Sequence, residues 1–145
     1  MDTLVLIHLL FLGLWGGIVA TESVIELGAR DNDGRRIAAK LHFWIDLTVE
    51  MPVLLGVLIT GTLLAIRYWP LPSPYGAMVA VGLVPVAVNV ACFAVVIHRY
   101  KRSLNDPEHL LRDDRLVKAS FVVGVPFAGV ALYQGLPILA GLLAS

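Results

Sequence analysis

Cysteine and charge are both scarce in this chain. Its only cysteine is Cys92, which excludes a disulfide within the chain and a metal cluster held by several thiolates of one chain. Charged residues make up 15% of the 145 positions, whereas hydrophobic residues make up 58% and the mean hydropathy is +0.81. A soluble domain with this composition would have too little polar surface to cover itself. The composition therefore predicts an integral membrane protein.

Long apolar stretches are the feature that the chain has in abundance. Four can be distinguished, at about 3–28, 37–66, 75–98 and 116–143, and each reaches the roughly 20 residues that a helix needs to cross the hydrocarbon. The first has no basic segment ahead of it and carries two acids near its end, so we expect a mature helix rather than a signal peptide. The sequence predicts an all-α, four-helix membrane bundle that forms one transmembrane domain over residues 1–145.

The basic residues are distributed unequally between the two sides of this bundle. Of the 11 Lys and Arg residues, only Arg67 lies in the connection between the second and third stretches. The others lie in or beside the first and third connections, which the positive-inside rule places in the cytoplasm. Both termini are then expected outside, in a multi-pass protein of the bacterial inner membrane. Topology and contacts with lipid headgroups account for these basic residues, so no nucleic-acid partner is predicted.

Ionisable residues interrupt the first two apolar stretches in two groups. Such residues are costly inside a membrane and usually face the interior of the protein. Within each group the positions differ by four or eight, so each group lies on one face of its helix. Because the two helices run in opposite directions, the polar faces should meet in the cytoplasmic third of the membrane, with Glu22 near Asp46. The first group is Glu22 and Glu26, and the second is His42, Asp46 and Glu50.

Carboxylates packed this closely cannot all be ionised unless a cation is present, so the site should hold either protons or a metal. A ligand set of oxygens with an imidazole suits iron, manganese or zinc better than cuprous copper. Four-helix bundles also build dimetal sites from glutamates and histidine, although their paired Glu-x-x-His signature is absent here. If the site is catalytic, Glu22 or Glu50 is the candidate proton carrier. The predicted ligands of a divalent transition metal are Glu22, Glu26, His42, Asp46 and Glu50.

Two alternatives to a metal site are open: the ionisable residues could have a structural role, or the cofactor could be a b-type haem. Glu26, His42 and Asp46 are near enough to the basic loops to pair with their side chains. A b-type haem would need one or two imidazoles at matching depth, with basic residues for its propionates. His42 and His98 both fall near the cytoplasmic face, and His98 is followed by Arg99, Lys101 and Arg102. The haem interpretation gives the buried glutamates no role.

A third alternative is a proton- or ion-coupled transporter, or an accessory subunit of a membrane complex. Alternately protonated carboxylates could carry charge through part of the bilayer. The outer half offers few polar groups to continue such a path: His8, Asn89, Tyr133 and Gln134. The expected partners are membrane lipids, and a homo-oligomer or a larger membrane complex stays open. The sequence does not separate redox chemistry from metal handling.

Short motifs in the first two helices carry a family resemblance. They are Ile7-His8-Leu9-Leu10, Leu14-Trp15-Gly16-Gly17, Pro52 and Thr60-Gly61-Thr62-Leu63. In these the chain resembles the small bacterial membrane proteins related to the copper-resistance protein CopD and to the protoporphyrinogen oxidase HemJ. The resemblance implies an association with copper handling or with haem, and it would make His8 a haem or metal ligand. The intramembrane acids are a departure from the pattern of those families.

Overall fold

The computed structural model describes residues 2–105 and 110–144. Its elements are all helical: α1 (Thr3–Gly28), α2 (Asn32–Ile45), a π-helical turn (Asp46–Glu50), α3 (Met51–Arg67), α4 (Ser73–Asn105) and α5 (Leu110–Ala144). Since α2, the π turn and α3 form one continuous helix of 36 residues, the described chain has four helices long and apolar enough to cross a membrane. This confirms the predicted four apolar helices, while the orientation of loops and termini stays a prediction.

The π turn has a local cause in the sequence. Pro52 has no backbone N–H, and in a regular α-helix its ring would clash with the carbonyl of Thr48, four residues earlier. The helix widens here, and the N–H of Met51 bonds to the carbonyl of Asp46, five residues earlier. Such single π turns inside α-helices occur frequently at functional sites. This one carries two of the predicted site residues, Asp46 and Glu50.

The last two helices extend further than their apolar stretches. The hydropathy pattern ends the third stretch at 98 and begins the fourth at 116, whereas α4 continues to Asn105 and α5 begins at Leu110. The charged residues of this region do not end the helices, because several of them are buried by pairing with one another. Arg99, Asp113 and Asp114 are each at most 4% exposed.

The helices pack as two pairs joined by α2. α1 packs against α3 around Trp15, Leu54 and Val57, and α4 packs against α5 around Cys92, Val96 and Val117. α2 lies against α4 and links the pairs. The two pairs leave a cavity between α1 on one side and α4 and α5 on the other. Residues from the polar faces of α1 and α2 line part of it.

Candidate metal centre

The five predicted metal ligands of the first two spans lie together and are all buried. Each is at most 2% exposed. α1 contributes two of them, α2 contributes the histidine, and the π turn contributes the other two. The spacing of four along each helix therefore brings the predicted residues to one site: Glu22, Glu26, His42, Asp46 and Glu50.

His42 lies at the centre of this site and uses its two ring nitrogens differently. Its Nδ1 is 2.7 Å from Glu26 Oε1. Because that oxygen also accepts a hydrogen bond from Arg99 Nη1 at 2.5 Å, Glu26 is an acceptor, and the proton of the pair belongs to Nδ1. The other nitrogen, Nε2, faces Glu22 Oε2 at 3.6 Å and Asp46 Oδ1 at 3.5 Å. The ring is also stacked on Phe121, with centroids 6.1 Å apart.

A chain of ion pairs connects Glu26 to the end of the bundle. Arg99, fully buried, bonds to Glu26 through Nη1 and approaches Asp114 Oδ1 through Nε at 2.8 Å. Arg35, near the start of α2, completes the chain with an Nε–Oδ2 distance of 3.1 Å to the same Asp114 carboxylate. Glu26 is thereby held as a fixed, charged partner of His42.

Glu50 is held by neutral donors from two other helices. Its Oε1 accepts a hydrogen bond from Trp15 Nε1 at 2.9 Å and another from Asn89 Nδ2. Its carboxylate also interacts with that of Asp46, which in turn interacts with Glu22. The structure therefore places Glu50 beside the centre, on the side that faces the cavity.

The balance of buried charge differs between the two ends of the site. Glu26 and Asp114 face Arg99, and Asp113 faces Arg102 at 3.5 Å. Among the described residues, the remaining buried carboxylates form no ion pair with a lysine or an arginine: Glu22, Asp46 and Glu50. Three buried carboxylates this close together need protons or a cation to offset their charge.

The geometry around His42 Nε2 matches a small metal ion. One ligand atom each from Glu22, His42 and Asp46 lie within 4.8 Å of one another. Ligands bound at about 2.1 Å to a tetrahedral ion stand about 3.4 Å apart, close to the 3.5 and 3.6 Å seen here. Glu22 Oε1 is buried and has no hydrogen-bond partner in the part of the chain that the structure describes. These three residues could hold a metal.

The two other predicted haem ligands lie away from this centre. His8, half-buried near the opposite end of α1, places Nδ1 2.8 Å from the hydroxyl of Thr60. That hydroxyl donates to the carbonyl of Gly56 at 2.7 Å, so it accepts the hydrogen bond from His8. His98 is exposed. Their roles as cofactor ligands stay predictions.

Sequence reasoning missed the part that Arg99, Asp113 and Asp114 play. It placed them in or beside the third connection, and its structural alternative paired Glu26 with other basic residues: Arg30, Arg36, Lys40 or Lys118. Helical spacing carried a signal, because on α4 the buried side chains recur every three or four residues: Cys92, Val96, Arg99 and Ser103. The same holds at the start of α5: Leu110, Asp113, Asp114 and Val117.

Comparison of the chain with protein-family models, with curated proteins and with solved structures found no match. The resemblance to CopD and HemJ therefore stays a prediction, and the interpretation of the site depends on its geometry.

Proposed function

We propose that this protein is a multi-pass protein of the bacterial inner membrane that binds one divalent transition metal, iron, manganese or zinc. Glu22, His42 and Asp46 are the ligands in this proposal. The observation that carries it is the orientation of His42, whose Nε2 faces both carboxylates while Nδ1 is held by Glu26. A histidine tied to a carboxylate through one nitrogen commonly binds metal through the other.

This ligand set supports a reactive centre rather than a purely structural one. Three protein ligands leave at least one coordination position for water or a substrate, as in catalytic zinc sites. Glu26 orients the imidazole, and Glu50 lies beside Asp46, where it can accept or release a proton. Redox chemistry and metal handling both suit this arrangement.

Charge gives the proposal a pH dependence. A divalent cation offsets two of the three negative charges that Glu22, Asp46 and Glu50 carry when ionised. Protons compete for the same oxygens, so metal binding should release protons, and the apparent affinity should fall as the pH is lowered.

The first test is elemental analysis of the detergent-purified protein, with an optical spectrum of the same sample. We expect stoichiometric metal without a Soret band in the wild type, and loss of metal in the double variant Glu22→Gln/Asp46→Asn. Asp33→Asn is the matched control, since Asp33 is an exposed acid in the first turn of α2. Circular dichroism checks that each variant keeps its helices.

Two outcomes contradict the proposal. Metal retained by a folded double variant would exclude Glu22 and Asp46 as the ligands. A wild-type protein that is isolated without metal, and that takes up no Fe²⁺, Mn²⁺ or Zn²⁺ on titration, would leave protonated carboxylates as the explanation of the site. A Soret band with stoichiometric iron would favour the b-type haem instead.

A further inference from the structure

The cavity beside the candidate metal centre has a volume of about 310 Å³ and is lined by residues of α1, α2, the π turn, α4 and α5. The exposed residues of its lining all belong to α1 and α5, which indicates that the cavity opens between these helices: Gly16, Ala20 and Val125. All three residues belong to helices that are apolar enough to span a membrane. A ligand dissolved in the lipid can therefore enter the cavity from the side.

The walls of the cavity are apolar and partly flat. Val19, Val88 and Phe121 are among the lining residues. The Phe121 ring lies nearly parallel to that of His42, with an interplanar angle of 19°. Planar ligands pack well against such rings. The volume is at the lower end of the range of about 300–1,000 Å³ for small-molecule pockets, so the cavity fits a single substituted ring.

The polar end of the cavity offers mainly hydrogen-bond acceptors. Glu22, His42, Glu50 and Asn89 line it. Asn89 uses its amide nitrogen to donate to Glu50, and within residues 2–105 and 110–144 no donor reaches its Oδ1. Asn89 is partly buried, so this oxygen is the acceptor that remains for a ligand in the cavity once Glu22 and His42 are taken up by the metal centre.

We propose that this cavity binds a lipid-soluble quinol, with a ring hydroxyl donating to Asn89 Oδ1 and the ring against Phe121. An unpaired amide oxygen calls for a ligand that donates, and the adjacent carboxylates repel anionic headgroups such as those of fatty acids. The inference names a ligand class for the same site and so rests on the proposed function. Its contacts nevertheless belong to residues other than the metal ligands.

Trp15 lines the cavity and can report on binding. The chain has three tryptophans, so Trp44→Phe/Trp69→Phe leaves Trp15 as the only one. Decylubiquinol, kept reduced under anaerobic conditions, is titrated into this protein in detergent, alongside its dimethyl ether. We expect saturable quenching by the quinol and about tenfold weaker binding of the ether, which lacks the donor.

Two glycines of α5 provide a matched pair of variants. A Cβ at Gly124 would stand 3.5 Å from Val88 Cγ1, so Gly124→Leu places its side chain in the cavity, whereas a Cβ at Gly129 meets nothing within 4 Å. We expect Gly124→Leu to weaken quinol binding at least about tenfold and Gly129→Leu to leave it unchanged. Asn89→Leu should abolish the preference for the quinol over its ether, and it carries the test alone if Gly124→Leu does not fold.

The metal content of the same samples separates this inference from the proposed function. Metal without saturable quinol binding overturns the inference and leaves the metal site standing. Saturable quinol binding by a protein without metal supports the cavity and contradicts the metal proposal. Equal binding by Gly124→Leu and the wild type, or equal affinity of the Asn89→Leu and wild-type proteins for the quinol, shows that the quinol binds elsewhere and overturns the inference.

Discussion

Arg99 gives two of the buried carboxylates a structural role, because it pairs with them and leaves the other carboxylates of the site to bind a metal or protons. Among the described lysines and arginines it alone is buried, and it contacts both Glu26 and Asp114. A buried ion pair contributes little net stability, but removing one partner leaves an uncompensated charge in a poorly solvated place. Arg99 therefore keeps Glu26 charged and in position, and Glu26 in turn keeps the Nδ1 proton of His42 in place.

We expect Arg99→Met to destabilise the protein by about 3–5 kcal/mol, because it leaves Glu26 and Asp114 without their shared cation. The free energy of unfolding can be measured by titration with a denaturing detergent. Arg67→Met is the matched control: Arg67 pairs with Asp2 at 3.0 Å, but its side chain is 58% exposed. An exposed ion pair contributes at most about 1 kcal/mol.

The double variant Glu26→Gln/Arg99→Met checks the cause of that loss. It removes the negative charge of Glu26 together with the positive charge of Arg99, so it should be more stable than Arg99→Met alone. A loss in Arg99→Met no greater than that in Arg67→Met would show that Arg99 is not needed to compensate the buried charge.

Much of the helical architecture follows from the sequence, because apolar length and a spacing of four are local properties. α1 and the continuous helix of α2 and α3 bring Glu22, Glu26, His42 and Asp46 together as the spacing predicts. The π turn was not predicted, since an argument from regular α-helical spacing assumes a constant number of residues in each turn. Pro52 by itself disfavours a regular helix at this point but does not specify that the helix widens.

The crossing of α1 and α3 depends on the absence of a side chain at Gly56. A Cβ added there would lie 2.6–2.8 Å from ring atoms of Phe11. We expect Gly56→Ala to reduce the free energy of unfolding by about 1–3 kcal/mol, the usual cost of overpacking a core contact. Gly13→Ala is the control, because nothing lies within 4 Å of its added Cβ.

Relief of the clash gives a second check on that contact. Phe11→Leu removes ring atoms from the crossing, so in the Gly56→Ala background it should cost less stability than it does alone. Strictly additive losses in the two variants would show that the Phe11 ring moves aside without cost and that Gly56 does not set the crossing.

The packing of the four helices against one another determines the contacts of the site that the sequence alone did not predict. Arg99 and Glu26 are 73 residues apart in the chain, and their pairing exists only because α2 packs against both α1 and α4. Burial of the five ionisable residues could be predicted from their place in apolar stretches. Which oxygens face Nε2 of His42, and which are taken by Arg99, Trp15 or Asn89, depends on contacts between helices that no local pattern encodes.

The same assembly links the candidate centre to one end of the bundle. A chain of ion pairs runs from Arg35, half-buried near the start of α2, through Asp114 and Arg99 to Glu26 and His42. If the basic connections face the cytoplasm, this end of the bundle is cytoplasmic, and the cavity lies deeper in the membrane. The side of the membrane on which Asn32 and Ser73 lie is therefore informative about the whole arrangement.

We expect Asn32 to face the cytoplasm and Ser73 the outside, because ten of the 11 Lys and Arg residues flank the first and third connections. Both positions are exposed, and Cys92, the native thiol, is 7% exposed, so a Cys92→Ala protein is a suitable background. In intact cells, a membrane-impermeant maleimide should label Ser73→Cys but should label Asn32→Cys only after the membrane is permeabilised. The opposite pattern would place the Arg35–Asp114 pair, and with it the end of the bundle nearest the candidate metal centre, on the outer side of the membrane.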